Sequence, residues 1–370
     1  MEFTVKKLPE ICEIKTGKKD ANHAIKNGKY RFYTCANQYS FCDTFSFSGK
    51  SVIVPGNGDI GLVFYYDGEF EAYQRTYVLQ NIKINAKYLY YHLLYNWRYV
   101  NTDKQFGSTV RYVRMSNFTS YTLPVPSLQQ QEKIVAKIEE LFSELDNGVE
   151  TLKKAKQQLA VYRQAVLKEA FTLCTKAVTV ESICQHVTDG DHMPPPKTKD
   201  GIPFIMISNI ENHIIDWSNT AFVGNEYYNN IDDKRRPTKG DVLYTVTGSY
   251  GIPVLVDFEK KFCFQRHIAL LRPKNNINQK FLYYAMQEPG VYSQATKGAT
   301  GTAQKTVGLA VLRKIQIPFC DDVDTQIEVV NDIEAKMSLC DSIEKTVDTA
   351  LQQAEAIRQS ILKKAFEGDL

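Results

Sequence analysis

Val161–Phe171 reads VYRQAVLKEAF, and Ala356–Phe366 reads AIRQSILKKAF. From the arginine onward, six of nine positions are identical, at an offset of 195 residues. Each segment lies late in a long stretch without proline, in which apolar residues recur at spacings of three, four and seven. This periodicity predicts a long amphipathic helix with a coiled-coil seam in each half of the chain.

The apolar stripe of each predicted helix is continuous over about 40 residues, which corresponds to a rod of roughly 60 Å. The first stripe consists of Ile134, Ile138, Leu141, Leu145, Leu152, Leu159 and Val166. The second consists of Val330, Ile333, Met337, Cys340, Val347, Leu351, Ala354 and Ile361. A helix with one apolar stripe must bury it against a partner. Because the same chain carries two such helices, we expect them to pair with each other in antiparallel orientation.

Shorter matches recur through the rest of the chain, in the same order and at offsets of 191 to 195. They are Gln74-Arg75 with Gln265-Arg266, Leu89-Tyr90-Tyr91 with Leu282-Tyr283-Tyr284, Gly107-Ser108-Thr109 with Gly298-Ala299-Thr300, and Leu123–Pro126 with Ile315–Pro318. Chance does not preserve order and spacing across a whole chain. The sequence therefore indicates a tandem duplication of a unit of about 190 residues.

Each unit begins with a strand-rich part, in which apolar runs such as Ser51–Pro55 and Asp241–Val246 lie between Gly, Asn and Asp turns. The stretches around Tyr88–Tyr99 and Gln279–Met286 are typical of helices. The predicted fold class is α/β in the broad sense (α+β): two mixed, β-rich domains separated by two long helices, with a pseudo-twofold internal repeat. The predicted segments are domain 1 (1–127), helix 1 (128–172), domain 2 (173–318) and helix 2 (319–370).

The charge is distributed unevenly along the chain, although the net charge of the 370 residues is only +3. Residues 1–127 carry +6 and 173–318 carry +4, whereas 128–172 are neutral and 319–370 carry −7. The two β-rich parts can therefore face phosphates, and the helices cannot easily do so. No apolar run approaches the length of a membrane span. The eight scattered cysteines include no CxxC pair, so we expect free thiols in a reducing cytoplasm.

Motifs for catalysis or cofactor binding are weak. Gly56–Gly61 (GNGDIG) matches the dinucleotide fingerprint, but a strand-like run follows it, so we expect a tight glycine-rich turn. Asp189, Asp191 and His192 precede a stiff Pro194–Pro196 connector and are interpreted as a polar loop rather than a metal site. Nucleophile-elbow, zinc-protease, phosphate-loop and amino-methylation boxes are absent from the sequence.

Two loops just ahead of the helices combine glycine, hydroxyl, amide and cationic residues: Lys104–Arg114 (KQFGSTVRYVR) and Lys297–Thr306 (KGATGTAQKT). Hydroxyls and amides bind phosphates or base edges, and Arg and Gln read purines through paired hydrogen bonds. The loops therefore predict a duplex-DNA interface. Its candidate residues are Lys104, Gln105, Ser108, Thr109, Arg111, Tyr112, Arg114, Lys297, Thr300, Thr302, Gln304 and Lys305.

The whole chain resembles the specificity subunit of type I restriction–modification systems. The resemblance rests on Leu123–Asp146 (LPVPSLQQQEKIVAKIEELFSELD), on RQAVLKEAF and RQSILKKAFEGDL, on the GDIG turn and on GATGTAQKT. It implies that each β-rich domain recognises one half of a bipartite DNA target. One departure is Thr325–Glu328 (TQIE), which stands where the first copy has QQEK, and it weakens the expectation of identical contacts at the two helix starts.

The resemblance also implies the partners of the chain. Two methyltransferase (modification) subunits would bind the helices, and two restriction–translocase subunits would assemble on these. The cofactors S-adenosylmethionine, ATP and Mg would belong to the partners, and this chain would be non-catalytic. The repeated RQ-LK-AF turn supplies the candidate partner-binding residues Arg163, Gln164, Lys168, Phe171, Arg358, Gln359, Lys363 and Phe366.

Two other functions are consistent with the sequence. A coiled-coil adaptor with two protein-binding heads would share the helices and the repeat, but its duplex-DNA affinity would not fall steeply with salt. A stand-alone DNA methyltransferase would bind S-adenosylmethionine without partners, and the missing catalytic boxes argue against it.

Overall fold

The computed structural model describes residues 3–192 and 195–368, so the predicted proline connector lies partly outside the described residues. The chain forms two units. The first unit comprises the residues up to Lys153 together with those from Asp348 onward, and the second comprises Lys154–Val347. Each unit thus contains a β-rich block and a segment of each long helix.

The first unit has nine strands in its described part. They are β1 (Thr4–Lys7), β2 (Glu13–Thr16), β3 (Tyr30–Tyr33), β4 (Ser40–Cys42), β5 (Lys50–Pro55), β6 (Phe64–Asp67), β7 (Phe70–Ala72), β8 (Thr76–Gln80) and β9 (Thr122–Val125). The helices are α1 (Leu8–Ile11), α2 (Ala86–Asn101), α3 (Met115–Thr119) and the long α4 (Leu128–Ala170), which continues into the second unit. The strands form sheets in the orders β2-β8-β5-β6, β4-β3-β7 and β1-β9.

The second unit repeats this arrangement. Its strands are β10 (Lys176–Thr179), β11 (Cys184–Asp189), β12 (Lys197–Thr198), β13 (Ile202–Ile205), β14 (Ile210–Glu211), β15 (Ile214–Ile215), β16 (Ala221–Val223), β17 (Val242–Thr245), β18 (Pro253–Leu255), β19 (Cys263–Phe264), β20 (Ile268–Pro273) and β21 (Gln316–Phe319). The helices are α5 (Val180–Ile183), α6 (Asn225–Asn230), α7 (Gln279–Ala285), α8 (Pro289–Gly298), α9 (Leu309–Lys314) and the long α10 (Val323–Glu367). The sheet order β11-β20-β17-β18 corresponds strand for strand to β2-β8-β5-β6, which confirms the predicted internal repeat.

Proline explains one difference between the units. The single helix α2 of the first unit corresponds to two helices, α7 and α8, in the second. Pro289 occupies the first position of α8, and the Glu288 side chain caps that helix by accepting a hydrogen bond from the Gly290 N–H at 2.7 Å. Because proline lacks an N–H, it fits a helix start and interrupts a helix interior.

Backbone hydrogen bonds correct the register of three of the sequence matches. Leu8 N–H donates to Tyr121 O, and the equivalent Val180 N–H donates to Ile315 O, so LPVP corresponds to residues 317–320 rather than 315–318. Tyr73 N–H donates to Tyr33 O and Gln265 N–H to Ile205 O, which pairs Gln74-Arg75 with residues 266–267. The third match, Gly107 with Gly298, is shifted by three residues, as the geometry of the loops shows below. A match of a few identical residues can be placed a few positions wrong, whereas equivalent backbone hydrogen bonds identify equivalent residues directly.

The long helices bury the predicted apolar stripes, since none of the fifteen stripe residues is exposed. Their antiparallel pairing is visible within the second unit. Glu169 faces Lys336, Arg163 faces Asp341, and Lys156 faces Glu344, at N–O distances of 4.0, 2.6 and 3.5 Å. Partner numbers rise along α10 as they fall along α4, so the two helices run in opposite directions, as predicted.

The TQIE departure leaves one shared feature of the two helix starts intact, the hydrogen bonds of a buried glutamine. The buried Gln131 side chain accepts a hydrogen bond from Asn85 N–H at 2.9 Å and donates one to Pro126 O at 2.8 Å. Gln326 does the same with Asn278 N–H and Cys320 O, at 2.9 and 2.8 Å. The differing neighbours are of no consequence here, because each glutamine alone links its helix to the β-rich block.

The expectation that all eight cysteines are free is wrong. Cys174 and Cys320 form a disulfide, and the other six are free. The antiparallel pair β10–β21 sets Lys176 opposite Phe319 and thereby brings the cysteines just beyond these strand ends together, with Cα atoms 4.9 Å apart. A separation of 146 residues hides this proximity in the sequence. Within the described ranges, no helix is both long and apolar enough to cross a membrane.

Candidate functional site

The loop Lys104–Arg114 is a small hairpin in the first unit, hairpin 1. Phe106 and Tyr112 exchange two backbone hydrogen bonds of 2.9 Å and enclose the five residues Gly107–Arg111. Val113 N–H then donates to Gly56 O at 2.8 Å, which fixes the hairpin to the glycine-rich turn.

The second loop forms the same structure, hairpin 2. Thr300 and Thr306 exchange hydrogen bonds of 2.9 and 2.7 Å around Gly301–Lys305, and Val307 N–H donates to Val246 O at 2.8 Å. Gly107 therefore corresponds to Gly301, not to Gly298. Both glycines have a positive φ, 88° and 101°, and a Cβ at either would lie about 2.5 Å from a carbonyl oxygen of the same loop. The glycines are thus required by the turn itself.

The corrected register places like residues at the two tips. Arg111 corresponds to Lys305 and Ser108 to Thr302, and all four side chains are exposed. Thr109 and Gln304 are also exposed at the tips. Each tip therefore presents one cation and at least one hydroxyl to solvent, and both groups bind phosphate oxygens.

The remaining predicted loop residues lie at the bases of the hairpins. Arg114 stacks over the Phe106 ring at 4.0 Å and donates to the Tyr112 hydroxyl at 2.9 Å, so its side chain is held in place. Gln105 donates to Thr102 O at 2.8 Å, and Thr300 closes hairpin 2 through its backbone. Lys104 and Lys297 are exposed and precede the hairpins, Lys297 in the last turn of α8.

The glycine-rich segment next to each hairpin is a turn between two strands, as predicted, and in the first unit it contains a β-turn in which Leu62 N–H donates to Asp59 O at 3.2 Å. Gly58 and Gly248 occupy equivalent positions with φ of 77° and 69°. Strand β6 follows the first turn, where a dinucleotide site requires a helix. Gly248 N–H donates to Lys305 O at 2.9 Å, so the turn supports hairpin 2 directly.

A cleft opens in each unit between the hairpin and the turn before β8 or β20. Cleft 1 has a volume of about 370 Å³ and cleft 2 about 260 Å³. Cleft 1 is lined by Gly56, Gln74, Arg75, Tyr77, Tyr112, Val113 and Arg114. Cleft 2 is lined by Asp189, His192, Val246, Thr247, Arg266, His267, Thr306, Val307, Gly308 and Leu309.

Sequence reasoning misses most of these lining residues as site residues. In the sequence, Gln74 and Arg75 stand out only as landmarks of the repeat, and Asp189 and His192 only as parts of a polar loop. In the structure Asp189 accepts a hydrogen bond from His192 Nε2 at 2.9 Å. The described residues contain no group of three His, Cys, Asp or Glu that could hold a metal. The available signal was a Gln-Arg pair shortly ahead of β8 and of β20, one residue out of register between the two halves.

The predicted partner-binding residues divide into two groups. Arg163 pairs with Asp341 and Glu344 at 2.6 and 3.1 Å, Arg358 pairs with Asp146 and covers the Phe142 ring, and Phe171 is buried. Phe366 stacks on Tyr95 with ring centroids 5.7 Å apart. By contrast, Gln164, Lys168, Gln359 and Lys363 are exposed. The first group therefore stabilises the chain itself, while the second, in which only Lys363 has an ion pair among the described residues, with Glu367 at 4.0 Å, is exposed and can face a partner.

Comparison with known proteins agrees with this architecture. A family model described as the type I restriction modification DNA specificity domain matches residues 1–159 and 185–353. The specificity subunit of the Escherichia coli type I restriction enzyme EcoDI is 27% identical, over 100% of this chain and 89% of the relative. That of Escherichia coli EcoBI is 26% identical, over 87% of this chain and 74% of the relative.

Solved structures share the fold. A chain solved in a study of complex assembly and conformational transition of the type I R-M system superimposes with a TM-score of 0.73, covering 100% of this chain and 98% of that one, at 16% identity. The HsdS subunit from Thermoanaerobacter tengcongensis gives 0.58, with 100% and 97% covered, also at 16% identity. Since the family model matches both halves, the chain belongs to the type I restriction–modification DNA specificity family.

Proposed function

We propose that the chain is the DNA-recognising, non-catalytic subunit of a type I restriction–modification complex, and that each unit reads one half of a bipartite duplex target. The observation that carries this proposal is the pair of equivalent hairpins, each presenting an exposed cation, Arg111 or Lys305, from a basic part of the chain. A surface used twice in one chain fits a ligand with two similar halves. Its assigned DNA contacts are the residues of the two loops named above.

The partner surface is also repeated. At the turn that carries the RQ-LK-AF sequence, Tyr162 and Ile357 occupy equivalent positions and are 46% and 47% exposed. Single exposed apolar side chains are ordinary on a protein surface, but their recurrence at the same turn of both helices supports a binding surface that is used twice. We propose that Tyr162, Gln164 and Lys168 bind one methyltransferase subunit, and that Ile357, Gln359 and Lys363 bind a second.

The cofactors belong to the partners in this proposal. The methyltransferase subunits would bind S-adenosylmethionine and modify adenine, and the restriction–translocase subunits assembled on them would use ATP and Mg. The contribution of this chain is the choice of sequence and the placement of its partners.

Duplex binding by the purified chain tests the DNA part of the proposal. We expect affinity to fall steeply with salt, because phosphate contacts release counterions. Replacing both Arg111 and Lys305 with Ala should weaken binding and make the plot of log affinity against log salt shallower by about one unit for each phosphate that is no longer neutralised. Replacing the exposed Lys50 and Lys199 is the matched control. Wild-type binding by the hairpin double variant would refute the assignment of the hairpins.

The non-catalytic role is tested with the same protein. The chain alone should bind no S-adenosylmethionine and transfer no methyl group, and adding the methyltransferase subunit should restore adenine modification. Methyl transfer by the highly purified chain alone would favour a stand-alone methyltransferase. The absence of duplex-DNA affinity at any salt concentration would favour a protein-binding adaptor.

A further inference from the structure

The two clefts beside the hairpins have the same backbone. Gly56 N–H donates to Arg75 O at 2.8 Å in cleft 1, and Val246 N–H donates to His267 O at 2.9 Å in cleft 2. Val113 and Val307, which close the clefts from the hairpin side, are 3% and 1% exposed. The backbone segments that carry Gly56, Arg75 and Val113 are therefore equivalent to those that carry Val246, His267 and Val307.

The side chains that project from this shared backbone differ. Gln74 in cleft 1 corresponds to Arg266 in cleft 2, Arg75 to His267, and Arg114 to Gly308. Each base pair presents its own pattern of donors and acceptors in the major groove. Two domains that recognise different base pairs with the same backbone therefore need different hydrogen-bonding side chains. A phosphate presents only acceptors, so a site for it would need donors alone.

Each cleft contains one arginine that the protein leaves unpaired. Arg75 and Arg266 are exposed, and neither guanidinium has a hydrogen-bond or ion-pair partner in the described part of the chain. Their neighbours are already engaged: Gln74 donates to Asp20 at 2.9 Å, and Arg114 is held by Phe106 and Tyr112. The free guanidinium fork matches the O6 and N7 acceptors of guanine.

Cleft 2 is unsuited to a phosphate. The Asp189 carboxylate lines it, with His192 at 2.9 Å from one oxygen and Arg235 at 3.6 Å from the other. Each oxygen keeps a lone pair that can accept a hydrogen bond from a base amino group, whereas a phosphate presents only acceptors. Burial, together with the charge of Arg266, lowers the pKa of His267, so its ring is neutral at pH 7 and offers one donor and one acceptor. The mixture of donors and acceptors fits a base edge.

We infer that clefts 1 and 2 are base-reading sites, in which Arg75 and Arg266 each recognise a guanine, one in each half of the target. This inference rests on the DNA recognition proposed above. It assigns part of the sequence specificity to residues outside the hairpins. The two halves of the DNA target should then differ in base sequence, because Gln74-Arg75 in cleft 1 differs from Arg266-His267 in cleft 2.

The test compares methylated motifs of the complex reconstituted with its methyltransferase subunits, using duplexes randomised across the wild-type target. R75A should lose discrimination at one base pair of one half, on the order of 10- to 100-fold, and R266A should do so in the other half only. R75K and R266K should keep overall affinity but show weaker discrimination at the same base pair, because lysine keeps the charge without the rigid two-donor fork. K26A and K261A, at exposed lysines outside the clefts, are the matched controls and should leave the motif unchanged.

The arginine-to-lysine variants keep the test decisive if an alanine variant folds poorly. An even loss of affinity over all sequences, with full recovery in the lysine variants, would identify phosphate contacts and overturn the inference. An unchanged motif in R75A and R266A would overturn it as well. A wild-type complex without any sequence preference would instead refute the proposed function, so the two failures are distinguishable.

Discussion

Gln131 and Gln326 show how far single residues could be interpreted from the sequence. Both stand in polar stretches at the starts of the long helices, where glutamine is ordinarily solvated. In the structure they are 3% and 0% exposed, and each links a helix start to the cap of a second helix through Asn85 or Asn278. The hydrogen-bond partners that allow this burial lie far away in the sequence, Asn85 at 46 positions and Asn278 at 48. Hydrophobic periodicity carries no information at that distance.

His92 makes the stability of the first unit dependent on pH. The ring is 3% exposed, its Nδ1 lies 2.9 Å from the Tyr121 hydroxyl, and burial lowers the pKa of His92 to about 4. In the unfolded chain the pKa is about 6.5, so between these values only the unfolded state takes up the proton. The free energy of unfolding should therefore fall as pH drops through this window, by about 3 kcal/mol in total.

Urea unfolding of the first unit from pH 7 to pH 4 measures this effect, with hydrogen exchange of the α2 amides as the local readout. H92N should remove most of the slope, although it lowers stability at every pH. H23N, at a partly exposed histidine of the same unit, should retain the wild-type slope. An H92N profile parallel to that of the wild type would show that His92 does not titrate on unfolding.

At the scale of elements, the amphipathic helices were predictable and the loops were not. Fifteen stripe residues recur at helical spacing, and a repeated physical constraint of this kind is visible in one sequence. The hairpins were identified by composition, but their register was off by three residues because hydrogen bonds such as Phe106–Tyr112, and not identities, define it. The clefts and the Cys174–Cys320 disulfide combine segments that are distant in sequence, so no local pattern indicated them.

The helix pair also determines how the partner surface should be tested. Charge reversal at Arg163 or Arg358 would set like charges against Asp341 or Asp146, and any loss of assembly would then report damage to the helix pair. We expect Y162E to reduce the complex from two methyltransferase subunits to one, I357E to do the same, and the double variant to bind none. A charged side chain cannot be buried in an apolar interface without a partner.

Mass measurement of the purified complexes gives the stoichiometry. Q157E and Q352E are the matched controls, since these exposed residues lie five positions earlier on the same two helices and about 140° around them. Circular dichroism should be unchanged in all variants. Two bound subunits in the Y162E/I357E double variant would contradict the proposed surface.

The architecture of the whole molecule was the most predictable level, because the duplication implies the same order of elements in both halves of the chain. The sheet β2-β8-β5-β6 of the first unit and the sheet β11-β20-β17-β18 of the second unit share one strand order. Each β-rich block also closes on itself, since β1 pairs with β9 and β10 with β21. A block whose first and last strands pair can be replaced without cutting a sheet.

Exchanging residues 1–127 for the equivalent block of a relative tests whether the units read DNA independently. The exchange keeps β1 and β9 together, and its junction lies before Gln131, so the incoming block must supply the cap asparagine that stands at position 85. It must also keep the apolar side chains at Tyr88 and Leu89, which share a buried cluster with Ile138 and Leu362 of the long helices. With these contacts retained, the new block should fold on unchanged helices and bind the same partners. The methylated motif should then change in one half only, and exchanging residues 173–318 should change only the other half. A motif altered in both halves by either exchange would show that the two units do not act as separate readers.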